Sequence, residues 1–176
     1  MITAELQPHP DTPCAAVERI EAQLQPYAGD GLGITLSLQG ALDRILLPPP
    51  NKPHRADGLW RHTCAELFVR NAYARVYREF NFAPSLAWQC YDFDDYRTGC
   101  RPAILPRPLC AWTAAPDRLV LRLQLDATQL PLPPWRLNLA MVVETRDGHL
   151  SYWALAHPIG HADFHHPDAF VLAFDP

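Results

Sequence analysis

An all-β fold, two antiparallel sheets packed face to face as a jelly-roll or Ig-like β-sandwich of about ten strands with little helix, is what this sequence predicts. Three observations carry it. The 19 prolines in 176 residues are spread as punctuation between short apolar runs, which suits strands joined by many turns. Those runs alternate apolar and polar residues, with Leu119, Leu121, Leu123 and Leu125 set against Val120, Arg122 and Gln124 as the clearest case, the period of a half-buried strand. No stretch carries a convincing amphipathic helical period, and the economical way to bury so many strands is two facing sheets.

In chain order, residues 16–25 alternate Ile20, Ala22 and Leu24 ahead of a Gly-Asp-Gly turn and pair with the β-branched run 32–40. Arg44–Leu47 is expected as a short strand stopped by Pro48-Pro49-Pro50, and 48–58 as a loop. Runs 63–70, 75–84 and 86–93 read as an antiparallel meander turning near Asn71-Ala72 and Pro84-Ser85. After a loop at 94–102, runs 109–115 and 117–127 form a hairpin, and 131–134 breaks the chain again. Runs 135–146 and 149–155 flank Asp147-Gly148, the strongest turn signal present. Residues 157–168 are expected as a loop or short irregular helix, and 169–174 as the closing strand.

The length fits one domain, residues 1–176, and a chain of this size buries roughly 70% of its unfolded surface without a disulfide or metal staple. A net charge of −4 argues against nucleic acid as a partner and against a polybasic membrane surface. No run reaches the ~18 apolar residues of a membrane-spanning helix. The N-terminal stretch lacks a basic region followed by an apolar one, so it is not read as a signal peptide. The cysteines at 14, 64, 90, 100 and 110 are odd in number, with no C-x-x-C pair. A cytoplasmic protein with reduced thiols is the expectation. The pattern does not settle the oligomeric state.

Residues 57–99 hold the candidate site. Alternation places Trp60, His62, Cys64, Glu66 and Phe68 on one side of the first central run, with Ala65, Leu67 and Val69 on the core side. In the next run Tyr77, Glu79 and Asn81 share a side, opposite Phe80 and Phe82. The polar sides together make one surface of aromatic rings and hydrogen-bonding groups. Such a surface suits a small polar ligand of saccharide type, its apolar face stacked on a ring and its hydroxyls taken by carboxylates and amides. The alternative is a structural network in which Glu66 and Glu79 pair with Arg78 or Arg97.

The runs LWRHTCAELFVR, YREFNFAPSLAWQCYDFDDYR and FHHPDAFVLAF, in that order, resemble the DOMON-like superfamily over nearly the whole chain. Within it they are similar to a group of bacterial single-domain proteins related to family 9 carbohydrate-binding modules. The resemblance implies a β-sandwich, and relatives that bind either sugars or haem. It gives Trp60 a stacking role and Glu66, six residues on, a hydroxyl-bonding role. It points to Phe164 or His165 as the second aromatic before the last strand. Where those modules place a binding arginine, this chain has Glu79, with Arg78 beside it facing the other way, and the last-loop tryptophan is missing.

Other chemistries are weighed on the same residues. Glu66 and Glu79 on adjacent strands, about 5 Å apart if directly opposite, would match a retaining glycosidase. His157, His161 and His165 recur every four residues, a zinc-binding spacing on a helix, but Pro158, Gly160 and Pro167 oppose a helix. His62 and Cys64 stand ~7 Å apart on one strand side, too far for an activated thiol. Met141 is a haem ligand only if it leaves the core. An exposed aromatic patch would otherwise serve a protein partner. The reading is non-catalytic ligand binding by Trp60, Glu66, Glu79, Asn81, Tyr91, Arg97, His161, Phe164 and His165, with no cofactor and no metal.

Overall fold

The computed structural model describes residues 1–176. Thirteen strands form in chain order: β1 (Ile2–Pro8), β2 (Val17–Tyr27), β3 (Gly31–Gly40), β4 (His54–Arg55), β5 (Cys64–Asn71), β6 (Tyr77–Phe82), β7 (Ala87–Phe93), β8 (Arg101–Pro102), β9 (Leu109–Ala115), β10 (Arg118–Leu125), β11 (Trp135–Glu144), β12 (Leu150–Ala154) and β13 (Leu172–Phe174). Helical structure is limited to four three-residue 3-10 turns.

The all-β expectation holds, but the two separate sheets do not. The strands form one continuous curled sheet in the order β4-β7-β6-β5-β11-β12-β1-β2-β3-β10-β9, with β13 beside β11 and β8 beside β7. β1 joins the two halves. Its Ile2–Leu6 segment pairs with β2, and Gln7 and Pro8 pair with β12. An N-terminal strand that changes partner midway removes the break between the sheets. Its alternation of Ile2, Ala4 and Leu6 with Thr3, Glu5 and Gln7 is legible in the sequence, and the strand it forms is additional to the runs expected above.

Folding the sheet over brings the two inner faces together as one core. Leu24, Leu36 and Leu121 from one half belong to the same buried cluster as Leu67, Phe80, Trp135 and Leu139 from the other. Strand alternation produces this. In β10, Leu119, Leu121, Leu123 and Leu125 are buried while Arg118, Arg122 and Gln124 are exposed, each buried leucine contributing about 1.5–3 kcal/mol.

The predicted strand at 44–47 does not form. Leu42–Arg44 is a 3-10 turn, and Ile45 makes a single bridge to Thr145. The three prolines that follow leave no donors for a ladder, and Ile45 is fully buried instead.

The central strands differ from β10 in being buried on both faces: β5 is covered along Cys64–Val69. Its odd residues face the main core. Phe68 faces a second cluster with Tyr77, Tyr91, Phe93, Phe164 and Phe170, roofed by the segment between β12 and β13. The polar line found in the sequence lies under this roof.

Candidate functional site

A pocket of about 470 Å³ opens on the outer face of β5, β6, β7, β11 and β12, within the range of small-molecule sites. Its floor carries Glu66 and Glu79. Trp60 and Tyr91 form one wall, Val142, Leu150 and Tyr152 another, and Arg97, Phe164 and His165 come from the covering loops.

Trp60 does not lie on a strand. It sits in the 3-10 turn Leu59–Arg61, entered through Gly58 at φ 74°, a left-handed conformation natural to glycine. That turn holds the indole edge-on to Tyr91, ring centroids 6.0 Å apart and planes at 74°. Its ring stays 40% exposed, open to the pocket mouth. Asp57 anchors this corner: its Oδ1 accepts from the Tyr91 hydroxyl at 2.6 Å and from Gln89 Nε2 at 3.0 Å. Those two bonds hold the Asp57 carboxyl below the usual carboxylate range. No sequence pattern marked Asp57, whose partners come from β7, over thirty positions along the chain.

Glu66 and Glu79 are not directly opposite each other. Glu66 faces Asn81 across the β5–β6 ladder, and Glu79 faces Phe68. The two carboxyls are therefore diagonal neighbours, a relation with a separation of roughly 7–8 Å between backbone positions. Both are buried at 4% exposure. Burial, then repulsion from Glu79, pushes the Glu66 carboxyl well up against the opposing pull of Arg97. Burial pushes Glu79 up to about 7, against the Asn81 hydrogen bond and Arg97. Glu66 Oε1 is buried without a hydrogen-bond partner, an expensive state for a polar atom unless a ligand meets it.

Asn81 is fully buried beneath the floor and does not line the pocket. Its Nδ2 donates to Glu79 Oε1 at 2.6 Å, and its Oδ1 accepts a weak bond from Cys64 Sγ at 3.7 Å. It positions a carboxyl and cannot reach a ligand, because its side is covered by its own neighbours.

His165 is a wall residue held on both ring nitrogens. The Arg97 backbone N–H donates to the Tyr77 hydroxyl at 3.2 Å, and that hydroxyl is hydrogen-bonded to His165 Nδ1, 2.7 Å away. His165 Nε2 faces Glu79 Oε2 at 3.6 Å. Burial among Phe68 and Phe93, with Arg97 nearby, lowers the imidazole to about 4. The contact with Glu79 is between a neutral imidazole and a carboxyl.

A polar strap closes one end. Arg97 Nη2 and the Tyr96 hydroxyl bind the two oxygens of Asp163 at 2.7 and 2.5 Å. Arg97 holds a left-handed backbone at φ 53°, unusual for a non-glycine residue. Gly99 beside it has no room for a side chain, since a Cβ would come within 2.1 Å of Asp94 Oδ2. The alternative pairing of Glu66 and Glu79 with Arg78 does not form: Arg78 bonds Asp92 and the Gln129 carbonyl.

The structure brings Trp60, Glu66, Glu79, Tyr91, Arg97, Phe164 and His165 to one pocket and leaves Asn81 below it. His161 is exposed and lies outside the lining, because Gly160 at φ 113° turns the loop outward there. The other loop histidines separate as well: His157 bonds the Gln7 carbonyl, and His166 accepts from the Asp168 backbone. No three metal-ligating side chains converge. His62 bonds Glu144 and leaves Cys64 alone. Met141 belongs to the main core, so the haem reading loses its axial ligand. Beyond the predicted residues, the apolar wall of Val142, Leu150 and Tyr152 and the anchor Asp163 were not foreseen. They come from distant strands and a loop that only the curled sheet brings together.

No protein-family model matches this sequence, and no curated protein matches it. The fold has solved counterparts. A candidate carbohydrate-binding protein from Bacteroides uniformis ATCC 8492 is similar with a TM-score of 0.61 at 14% identity, over 94% of this chain and 84% of its own. A family 9 carbohydrate-binding module from Caldicellulosiruptor kristjanssonii, solved with cellotriose, gives 0.52 at 8% identity over 81% and 67% of the two chains. The same kind of module solved with glucose gives 0.50 at 8% identity over 81% and 69%. At these identities the likeness is one of fold.

Proposed function

We propose that the pocket binds a saccharide without transforming it. The observation that carries this reading is a half-exposed Trp60 lining the same pocket as a buried Glu66 carboxyl, one of whose oxygens has no protein partner. An indole face takes the C–H side of a sugar ring, and a carboxyl that burial pushes toward its protonated form can both donate to and accept from hydroxyls. The fold shared with a sugar-complexed family 9 module supports the same direction, as does the sequence resemblance to DOMON-like proteins. The five unpaired thiols favour a reducing compartment as its place of work.

Acid–base hydrolysis by Glu66 and Glu79 is the weaker reading. Dividing labour between two carboxyls needs their pKa values pushed apart, and here burial pushes both the same way.

Calorimetric titration with a panel of mono- and disaccharides tests the proposal. Binding without turnover, abolished in Trp60→Ala and weakened about tenfold or more in Glu66→Gln, is the expected result. No heat from any sugar at millimolar concentration overturns it.

A further inference from the structure

The pocket is poor in free positive charge. Two buried carboxyls share its floor, and the cations that face them are already engaged or distant. The Arg97 guanidinium is bound to Asp163 at 2.7 Å. Arg61, the last residue of the exposed Trp60 turn, stands at the rim. His165 faces Glu79 through Nε2 at 3.6 Å and is hemmed in by Phe68 and Phe93. The thiols and phenols nearby, Cys64, Cys100, Tyr77 and Tyr91, hold their protons because burial raises all four. The walls add the aromatic rings of Trp60, Tyr91 and Phe93, a ring's face being attractive to a cation through its quadrupole.

Resting on the saccharide reading above, we infer that the preferred ligand is an amino sugar, its protonated amine seated against the Glu66 and Glu79 carboxyls that line the pocket. The ammonium supplies a charged donor to the Glu66 carboxyl, one of whose oxygens has no protein partner, and the positive charge the floor lacks, while the ring keeps its place against Trp60. An uncharged sugar satisfies the first need only. Seating an ammonium favours the ionised carboxyls, so protons leave the floor for the solvent as the ligand binds. No bond is made or broken.

The test compares glucosamine, glucose, N-acetylglucosamine and ethanolamine by calorimetry at pH 7, in two buffers of different ionisation enthalpy. Glucosamine is expected to bind about tenfold or more tightly than glucose, with a buffer-dependent heat that reports proton release and that N-acetylglucosamine lacks. Glu79→Gln should bring the glucosamine-to-glucose ratio toward one, with thermal melting confirming that the variant is folded. Asp163→Asn, which frees the Arg97 charge toward the floor, should lower the same ratio by a second route. Equal or tighter binding of glucose overturns the amino-sugar inference and leaves the saccharide reading standing. Binding of ethanolamine but of no sugar supports the cation site and overturns both the sugar scaffold and the saccharide reading. Silence from all four overturns both.

Discussion

Asn81 stands directly opposite Glu66 across the β5–β6 ladder, yet donates its amide to Glu79 on its own strand. One carboxyl is thereby partnered and the other left with a bare oxygen. The cost falls on Glu66, and it appears as a raised pKa. Replacing Glu66 by Gln keeps the shape, removes the titration and brings a donor. The variant should melt higher than the parent at pH 8, and the gap should narrow toward pH 5. Melting curves at the two pH values measure this.

The wider pH profile follows from three buried groups. A carboxyl raised in the folded state binds more protons folded than unfolded above about pH 4.5, so it costs stability as pH rises toward its folded pKa. For Glu79, raised to about 7, the cost accumulated by pH 7 is on the order of 3 kcal/mol. His165 acts in the other sense. Lowered to about 4, it binds fewer protons folded than unfolded below about 6.5, so it adds stability as pH rises from 4 to 6.5. Over that shared window His165 offsets roughly one acid. Above pH 6.5 the acids act alone, and the melting temperature should fall. A Glu66→Gln/Glu79→Gln double variant should flatten that fall, and an unchanged slope would show that the floor carboxyls do not titrate as buried groups.

Much of this was legible in the chain, and the misses have physical causes. Alternation sorted Glu66, Glu79 and Asn81 onto one side of their strands because strand geometry fixes side, whatever the tertiary fold. It cannot give register, so the ~5 Å separation of directly opposite residues does not apply to Glu66 and Glu79, because Asn81 takes that position. Nor could it show that one sheet would curl through β1, because a strand that changes partner midway has no local signature. Asp57, Asp163 and Tyr152 reach the site from separate loops and strands, and only closure of the sheet makes them neighbours. Proline and glycine opposed a helix at 157–168, and without one the four-residue spacing does not line the histidines up: His157 bonds the Gln7 carbonyl and His166 accepts from the Asp168 backbone.

Asp57 fixes the wall that a ligand would stack on. It does not line the pocket, but it holds the Tyr91 hydroxyl, and Tyr91 holds the Trp60 ring. Asp57→Ala should weaken saccharide binding about tenfold, the effect of a misplaced wall. Asp57→Asn, which can still accept both hydrogen bonds, should recover most of the affinity. Titration of the two variants side by side distinguishes a positioning role from general destabilisation, which the Asn variant would share.

The seam at β1 predicts where the fold is vulnerable. Leu6 is 1% exposed and packs in the core at the point where β1 leaves β2 for β12. Leu6→Ala should cost about 2–5 kcal/mol, read from denaturant midpoints. If the seam is the weak point, amide exchange should rise along β12 and β2 more than along β6, which is bonded on both sides within one half of the sheet.

Asp163 couples the roof of the pocket to its charge. It receives Arg97 and Tyr96 from one loop and the His165 backbone N–H from its own, so it both closes the strap and occupies the guanidinium. Arg97 keeps an uncommon left-handed backbone, which persists only while its surroundings hold it. In Asp163→Ala both constraints go. The loop 94–99 should exchange its amides faster, and a bound saccharide should dissociate faster because the strap no longer spans the pocket end. The freed guanidinium should also pull the Glu66 and Glu79 carboxyls down, since Arg97 already acts on both in that sense. The fall of melting temperature above pH 6.5 should then become shallower even as the protein loses the strap. Faster dissociation with an unchanged pH slope would mean that Asp163 serves the loop alone and leaves the floor's charge untouched.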